Sequence, residues 1–446
     1  FSGETAPVGV PVALVVAGSA AEAEDALDAL RVEYAPLPPV ASLDDAMRAD
    51  GPRVHPGGNV ASRFSQRVGD PVGALARAEL VLRERFHVHR GGGMAMETRA
   101  IAAPWDADLG QITVWATAQA PQILRRLLAR YLDLPEHAVR VVTQDIGGGF
   151  GPKGIVYRED ILIPVLARAL GRPVQFVETR REHLAAVTQE RDQWHDVELG
   201  LTREGRIVAV RDTFTHDCGA FVSWGVIVPI LTSVSVPGPY RVPNYEVTLT
   251  ALYTNPVPVT PVRGAGRPQA VFVMERMLDL AAEHLGLDRI AIRQRNLIQP
   301  DEFPYDVGLI SRDNSPRRYD SGNYPECLRR ATEAEVLYNQ ASTNRRSLEE
   351  RLTAVEAEIS KRRKDLVPAI TENSSPWAQT LITKLAELQT RYMDLKVENY
   401  PPTHPKMVGL SAEIERTKND LRAEAEKLAD KRNVADPIAQ IEKYFG

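Results

Sequence analysis

Cysteine is nearly absent from this chain of 446 residues: Cys218 and Cys327 are the two that occur. Two isolated thiols build neither a disulfide framework nor a metal cluster with ligand spacing. A chain so poor in cysteine is expected in a reducing compartment, here the cytoplasm. No run of about 18 apolar residues is present, so no membrane-spanning helix is expected. A basic excess is missing too. The 54 Lys and Arg stand against 59 Asp and Glu, a net charge of −5, which argues against a nucleic-acid or membrane-surface binder. The opening FSGETAPVGVPVALVVAG has no initiator Met, no basic n-region and no usable h-region. It is not read as a signal peptide. It opens just before an expected strand over 12–17 and reads as a cut end.

What is present places the chain among globular proteins: 43% hydrophobic and 25% charged residues, over a length that calls for roughly two to four domains. Three regions differ in pattern. Residues 1–45 read as strand (Pro11–Val16, expected buried), helix (Ala20–Leu30) and strand (Arg31–Tyr34). One such unit cannot bury both faces of a sheet, so its partners are expected elsewhere. Residues 46–335 mix short strands, helices and Gly/Pro turns in an α+β pattern. Strands are expected over Ile112–Ala116, Ala138–Val142 and Val174–Val177, and helices over Pro121–Leu132 and Arg158–Leu170.

From about residue 336 glycine almost disappears, and Glu, Lys, Arg, Ala and Leu dominate. Leu348, Leu352, Val355, Ile359 and Leu366 form one apolar stripe. Leu381, Leu385, Leu388, Tyr392 and Leu395 form another. Steps of three and four mark a coiled coil. The proline-rich KVENYPPTHP interrupts the helix, and Ile414, Leu421, Ala425 and Leu428 resume it. Stripes this narrow need a partner helix, so self-association through residues 336–446 is expected.

The segment Gln144–Gly154, QDIGGGFGPKG, carries the densest chemical signal. Successive glycines let the backbone approach a ligand closely, and their free amides suit an anion. A plain Gly-rich turn remains the alternative. No GK[ST] follows, so it is not a Walker loop, and it does not spell GxGxxG.

QDIGGGFGPK resembles the GGGFGGK loop of the large subunits of xanthine dehydrogenase, aldehyde oxidase and CO dehydrogenase. Further landmarks of that family follow in order. They are Trp115–Gln119, His216–Phe221, Pro237–Asn244, the RGFGxPQ-like Pro261–Gln269, Glu275–Asp279 with Arg293–Asn296, and Tyr319–Pro325. The resemblance covers residues 1–335. It implies the C-terminal part of an α/β hammerhead domain over 1–45 and the first molybdopterin-binding domain over 46–335. It also implies a molybdenum–molybdopterin cofactor, of the cytosine dinucleotide form, that hydroxylates substrate with water-derived oxygen. Electrons would leave through an iron–sulfur small subunit and an FAD medium subunit. Gln119 would hydrogen-bond beside the metal, since an amide donates without titrating; its alternative is an exposed polar turn residue. Gly148, Gly149, Phe150 and Gly151 would lie against the metal centre. Arg263, Gly264 and Ala265 would form a cofactor loop in which a fixed cation stabilises negative oxygen. The alternative for Arg263 is a buried ion pair.

Departures narrow the chemistry. Gly154 stands where purine-oxidising members carry Glu, no Arg occurs between Gly219 and Arg241, and Ala265 replaces a stacking Phe. No Cys occurs in Val262–Ala265 to hold copper. An aldehyde or a non-purine heterocycle is the expected substrate. The family's GQG loop and its GE loop, with the catalytic Glu, do not follow residue 330, so the chain alone is expected to be inactive. Residues 336–446 resemble instead the coiled-coil region of polysaccharide co-polymerases, through Tyr400–Val408 and Asp436–Ile441. That implies assembly rather than catalysis. The join near 336 then reads as a fused reading frame. The competing readings are a structural coiled-coil protein of polysaccharide export, or a chimera without integrated function.

Overall fold

The computed structural model describes residues 7, 9–224, 226–371, 375–397 and 400–432. The stripe side chains Ile359, Leu366, Ala425 and Leu428, and the segment Asp436–Ile441, lie outside what is described. The chain divides into two compact units, Phe1–Ala331 and Thr332–Gly446.

In the first unit the strands are β1 (Val60–Val68), β2 (Leu80–Val88), β3 (Ala100–Ala103), β4 (Trp105–Asp106), β5 (Gln111–Ala116), β6 (Val139–Val142), β7 (Val174–Val177), β8 (Gln193–Leu201), β9 (Ile207–Asp217), β10 (Tyr245–Leu252), β11 (Tyr305–Ile310) and β12 (Pro316–Tyr319). The helices are α1 (Ala20–Asp28), α2 (Leu43–Met47), α3 (Pro71–Arg77), α4 (Pro121–Leu132), α5 (Arg158–Leu170), α6 (Arg180–Ala186), α7 (Ile227–Ser233), α8 (Arg267–Leu285) and α9 (Arg289–Asn296). A tenth helix, α10 (Tyr324–Thr371), runs across the compositional change at 336.

Five strands form the larger sheet in the order β1-β10-β9-β8-β2. Its pairs are antiparallel except β10 with β9. Leu199, Leu201, Phe214, Tyr245 and Leu249 from its strands pack against Met274, Met277 and Leu278 of α8. Burying each such side chain contributes roughly 1.5–3 kcal/mol. The smaller sheet centres on β5. On one side of β5, β3 and β4 lie as a run interrupted at Pro104, with β7 beyond β3; on the other side lies β6, parallel to it. The alternation of β5 turns Ile112, Val114 and Ala116 inward. They meet Leu124, Leu128 and Leu132 of α4 and Ile163 and Ala167 of α5.

The helices expected at Pro121–Leu132 and Arg158–Leu170 and the strand at Val174–Val177 have the observed bounds. The N-terminal strands do not form. Pro11–Val16 and Arg31–Tyr34 are irregular and largely exposed, and α1 between them buries no residue. A strand needs a neighbour for its N–H and C=O groups, and no described strand lies beside either segment.

In the second unit, α11 (Pro376–Val397) and α12 (Pro405–Arg432) form an antiparallel hairpin. Ser375 bonds Glu424 at one end and Lys384 pairs with Glu413 further along. Leu381, Leu385 and Leu421 are buried between them. The Pro-rich turn is fixed by the Tyr400 ring against His404. The Leu381 stripe thus has its partner helix within the chain. The Leu348, Leu352 and Val355 stripe of α10 is exposed. Among the described residues no helix is long and apolar enough to cross a membrane.

This difference is measurable. Leu385, 2% exposed, should cost the hairpin about 2–4 kcal/mol when changed to Ala. Leu352→Ala, at a position 60% exposed, should stay within about 0.5 kcal/mol. Helix unfolding followed by circular dichroism checks both; equal losses would show that α10 is also packed.

Candidate functional site

The parallel pairing of β5 and β6 decides where the chemistry collects. Parallel neighbours bring their C-terminal ends to one edge, so the turn after β5 and the glycine-rich loop after β6 start side by side. Beyond Ala116, the Thr117 hydroxyl accepts the Ala100 N–H (2.9 Å) and the chain turns through Gln119 into α4. Pro121 opens that helix at a position where no N–H is needed. The Gln119 N–H donates to the Lys153 carbonyl (2.8 Å), and its side-chain Oε1 accepts the Gly151 N–H (2.9 Å).

The second loop, Pro261–Gly266, reaches the same place. The Arg263 N–H donates to the Phe150 carbonyl (2.8 Å). One peptide unit, Phe150–Gly151, is therefore held at its carbonyl by residue 263 and at its N–H by residue 119. Close approach explains two glycines. A Cβ on Gly149 would lie 2.6 Å from the Gln119 amide carbon, and one on Gly151 would fall on the Pro261 carbonyl. Gly151 also sits at φ 126°. Phe150 (φ 57°) and Ala265 (φ 50°) hold left-handed conformations without being glycine, at about 1–2 kcal/mol each.

All the expected site residues thus fall in one patch: Gln119, Gly148, Gly149, Phe150 and Gly151, with Arg263, Gly264 and Ala265 alongside. Gln119, Phe150 and Arg263 are exposed. The guanidinium of Arg263 makes no ion pair or hydrogen bond among the described residues, so the buried-ion-pair alternative does not describe it. Gln119 is exposed, as its alternative reading has it, yet its amide oxygen is engaged by the glycine loop.

Sequence reasoning missed two charge clusters beneath the patch. Lys153 is buried, and its ammonium pairs with Glu97 (2.7 Å). The same Glu97 oxygen accepts the Gly147 N–H (2.8 Å). The hydrogen bond from Lys153 holds the Glu97 carboxyl below its ordinary range, aided by the Gly147 N–H and outweighing partial burial. Deeper in, Glu178 binds Arg99 (2.7 Å) and His183 (2.7 Å). Burial alone would raise the Glu178 carboxyl, but the Arg99 charge and its hydrogen bonds reverse that and leave it lowered. The partners lie 56 and 79 residues apart in sequence, so no local pattern marked either pair.

Other landmarks brace the fold. The Tyr240 hydroxyl donates to Glu275 (2.6 Å), Arg293 clamps Glu275 and Asp279, and Asn296 ties Ile207 to Gly205. Among the described residues no group of three or more His, Cys, Asp or Glu is placed to hold a metal ion. The patch instead offers an amide, a guanidinium and a glycine cradle too tight for a Cβ. That donor set suits an anionic, oxygen-rich group rather than a bare cation.

The mixed α/β architecture is that of a molybdopterin-binding domain. The Molybdopterin cofactor-binding domain family matches residues 54–297, more than half of the chain, and the chain belongs to that family. It is 36% identical over 329 residues to the 6-hydroxypseudooxynicotine dehydrogenase complex subunit gamma of Paenarthrobacter nicotinovorans, covering 73% of this chain and 41% of that one. It is 32% identical over 363 residues to the carbon monoxide dehydrogenase large chain of Afipia carboxidovorans, covering 76% and 43%. Quinoline 2-oxidoreductase from Pseudomonas putida 86 matches in structure with a TM-score of 0.66 at 31% identity, over 75% of this chain and 42% of that one. The chain spans about four-tenths of the length of these relatives.

Two substitutions test the local physics. Gly151→Ala should cost roughly 1–3 kcal/mol, while Gly154→Ala, with nothing within 4 Å of the added carbon, should be near neutral. Urea denaturation of both variants checks this. Asp160 accepts the Tyr157 N–H at the start of α5 (2.8 Å), yet burial raises its carboxyl to about 6. A folded pKa above the unfolded value favours the protonated acid in the fold. The stability this provides is full below about pH 4 and is lost as pH rises through 6. Asp160→Asn, which still accepts that N–H, should therefore raise the melting temperature more at pH 8 than at pH 5. An equal shift at both would refute the burial argument.

Proposed function

We propose that residues 46–335 form one wall of the molybdenum–pterin site of a hydroxylase large subunit, with residues 1–45 the tail of an α/β hammerhead domain. The single observation that carries this is the Phe150–Gly151 peptide held between Gln119 and Arg263, inside a family whose members bind molybdopterin. When bound, the molybdenum cofactor, in its cytosine dinucleotide form, would supply the redox centre. Gln119 would donate to an oxygen beside the metal, Arg263 would offset negative charge on the cofactor, and the amides of Gly148–Gly151 would line the approach. The substrate is an aldehyde or a non-purine heterocycle, in keeping with Gly154, Ala265 and the lack of Cys in Val262–Ala265. Electrons would pass to an iron–sulfur small subunit and an FAD medium subunit, the partners that the sequence resemblance implies.

The chain alone binds but does not turn over, because no GQG or GE loop follows residue 330. Glu97, held ionised by Lys153, is not a free base. Chain produced in a host that makes the cofactor should retain molybdenum by elemental analysis. Arg263→Ala or Gln119→Ala should lower retention about tenfold, roughly 1.4 kcal/mol. Molybdenum at background in the unaltered chain would sink the reading, and steady hydroxylation of an aldehyde by this chain alone would sink the one-wall part of it.

For residues 336–446 the proposal is helical self-association and spacing of the kind found in polysaccharide co-polymerases, joined to the first part by a fused frame. The exposed Leu348–Val355 stripe of α10 supports it. Sedimentation velocity should show mass rising with concentration, and a monomer at every concentration would remove this second reading.

A further inference from the structure

We infer that Glu97 is a positioning residue: it clasps both ends of the glycine-rich loop and thereby fixes which end of the Gln119 amide is offered outward. The contacts close a circuit. Glu97 grips the start of the loop twice, its N–H donating to the Gly147 carbonyl (3.1 Å) and its carboxylate accepting the Gly147 N–H (2.8 Å). The same carboxylate holds the end of the loop through the buried ammonium of Lys153 (2.7 Å). Lys153 in turn accepts the Gln119 N–H through its carbonyl, and Gly151 donates to Gln119 Oε1.

A glutamine amide has two faces of opposite character: an oxygen that accepts and a nitrogen that donates twice. A flipped Gln119 would set its NH2 against the Gly151 N–H, two donors with no acceptor. With Oε1 taken by Gly151, Nε2 is left as a donor without a partner among the described residues. The loop thus selects the donor face, and Glu97 holds the loop. A donor fixed beforehand suits an anionic oxygen, since no reorganisation is needed at binding. That ligand class rests on the function proposed above; the clasp itself does not. The Lys153 hydrogen bond also keeps Glu97 ionised at neutral pH.

The test uses the full chain without cofactor. Backbone hydrogen exchange is followed over 147–153, and 15N relaxation is measured at the Gln119 side-chain amide. Glu97→Gln should speed exchange in the loop at least tenfold and drop the Gln119 order parameter below about 0.6, with β8 and β9 unchanged. Because that variant leaves a buried ammonium unpaired and can fail to fold, Glu97→Gln combined with Lys153→Met is measured beside it. The double variant should regain global stability while the loop and Gln119 stay loose. If the double variant restores both to wild-type values, Glu97 merely neutralises Lys153 and the inference fails. It fails equally if Glu97→Gln changes neither readout, or if protection is lost throughout the fold in both variants. A wild-type chain that holds no molybdenum would remove the proposed function and leave these readouts standing.

Discussion

One peptide plane organises the candidate site. The Phe150–Gly151 unit gives its N–H to Gln119 and receives the Arg263 N–H at its carbonyl. Three segments distant in sequence, those holding residues 119, 150 and 263, meet through two hydrogen bonds. Each bond is worth about 1 kcal/mol net, too little to assemble the patch alone. The sheets and helices do that work. β5 and β6 end at the same edge, and α8, packed on the larger sheet through Met274, Met277 and Leu278, begins immediately after the second loop. The peptide is where two independently packed layers register against each other. This is why close-approach glycines and left-handed non-glycine residues, Phe150 and Ala265, gather there.

The sequence landmarks divide into two physical kinds. Gln119, Gly149, Gly151 and Arg263 touch one another at the open patch. Tyr240, Glu275, Asp279, Arg293 and Asn296 lie in a network that fastens α8 and α9 to the loops beneath them. Removing one partner of this half-buried charge network leaves its mates short of a hydrogen bond, at roughly 1–3 kcal/mol. The network ties the middle of α8, at Glu275 and Asp279, to Arg293 of α9 and to Tyr240, and α8 leads back to the second loop. Bracing residues thus act on the site through rigidity, without reaching it.

Helices and strands that bury a face were legible: the helix expected at Pro121–Leu132 has the observed bounds, and the strand expected at Ile112–Ala116 starts one residue earlier, at Gln111. The patch was legible through short motifs, because glycine forced by close approach leaves a mark at each position. Two things were not legible. Apolar runs such as Pro11–Val16 look like strands whether or not a neighbour exists to complete the ladder, and here none is described. Long-range ion pairs leave no local trace either. Nothing near Lys153 in sequence indicates that Glu97, from the opposite side of the loop, neutralises it. The helical stripes show the same limit. Leu381 and Leu348 have like spacing, yet α12 buries the first and the second stays exposed.

Charge placement decides what the patch is able to do. Its exposed side chains offer donors: the Arg263 guanidinium and the Gln119 amide nitrogen. The carboxylate bonded to the glycine loop is already committed to an ammonium and an N–H, which hold its proton affinity low. A general base needs a lone pair free to receive a proton near the working pH. A carboxylate in the Glu97 environment has its pKa lowered rather than raised, which is the wrong direction for that task. The arrangement therefore favours holding and orienting an electron-rich oxygen over moving a proton.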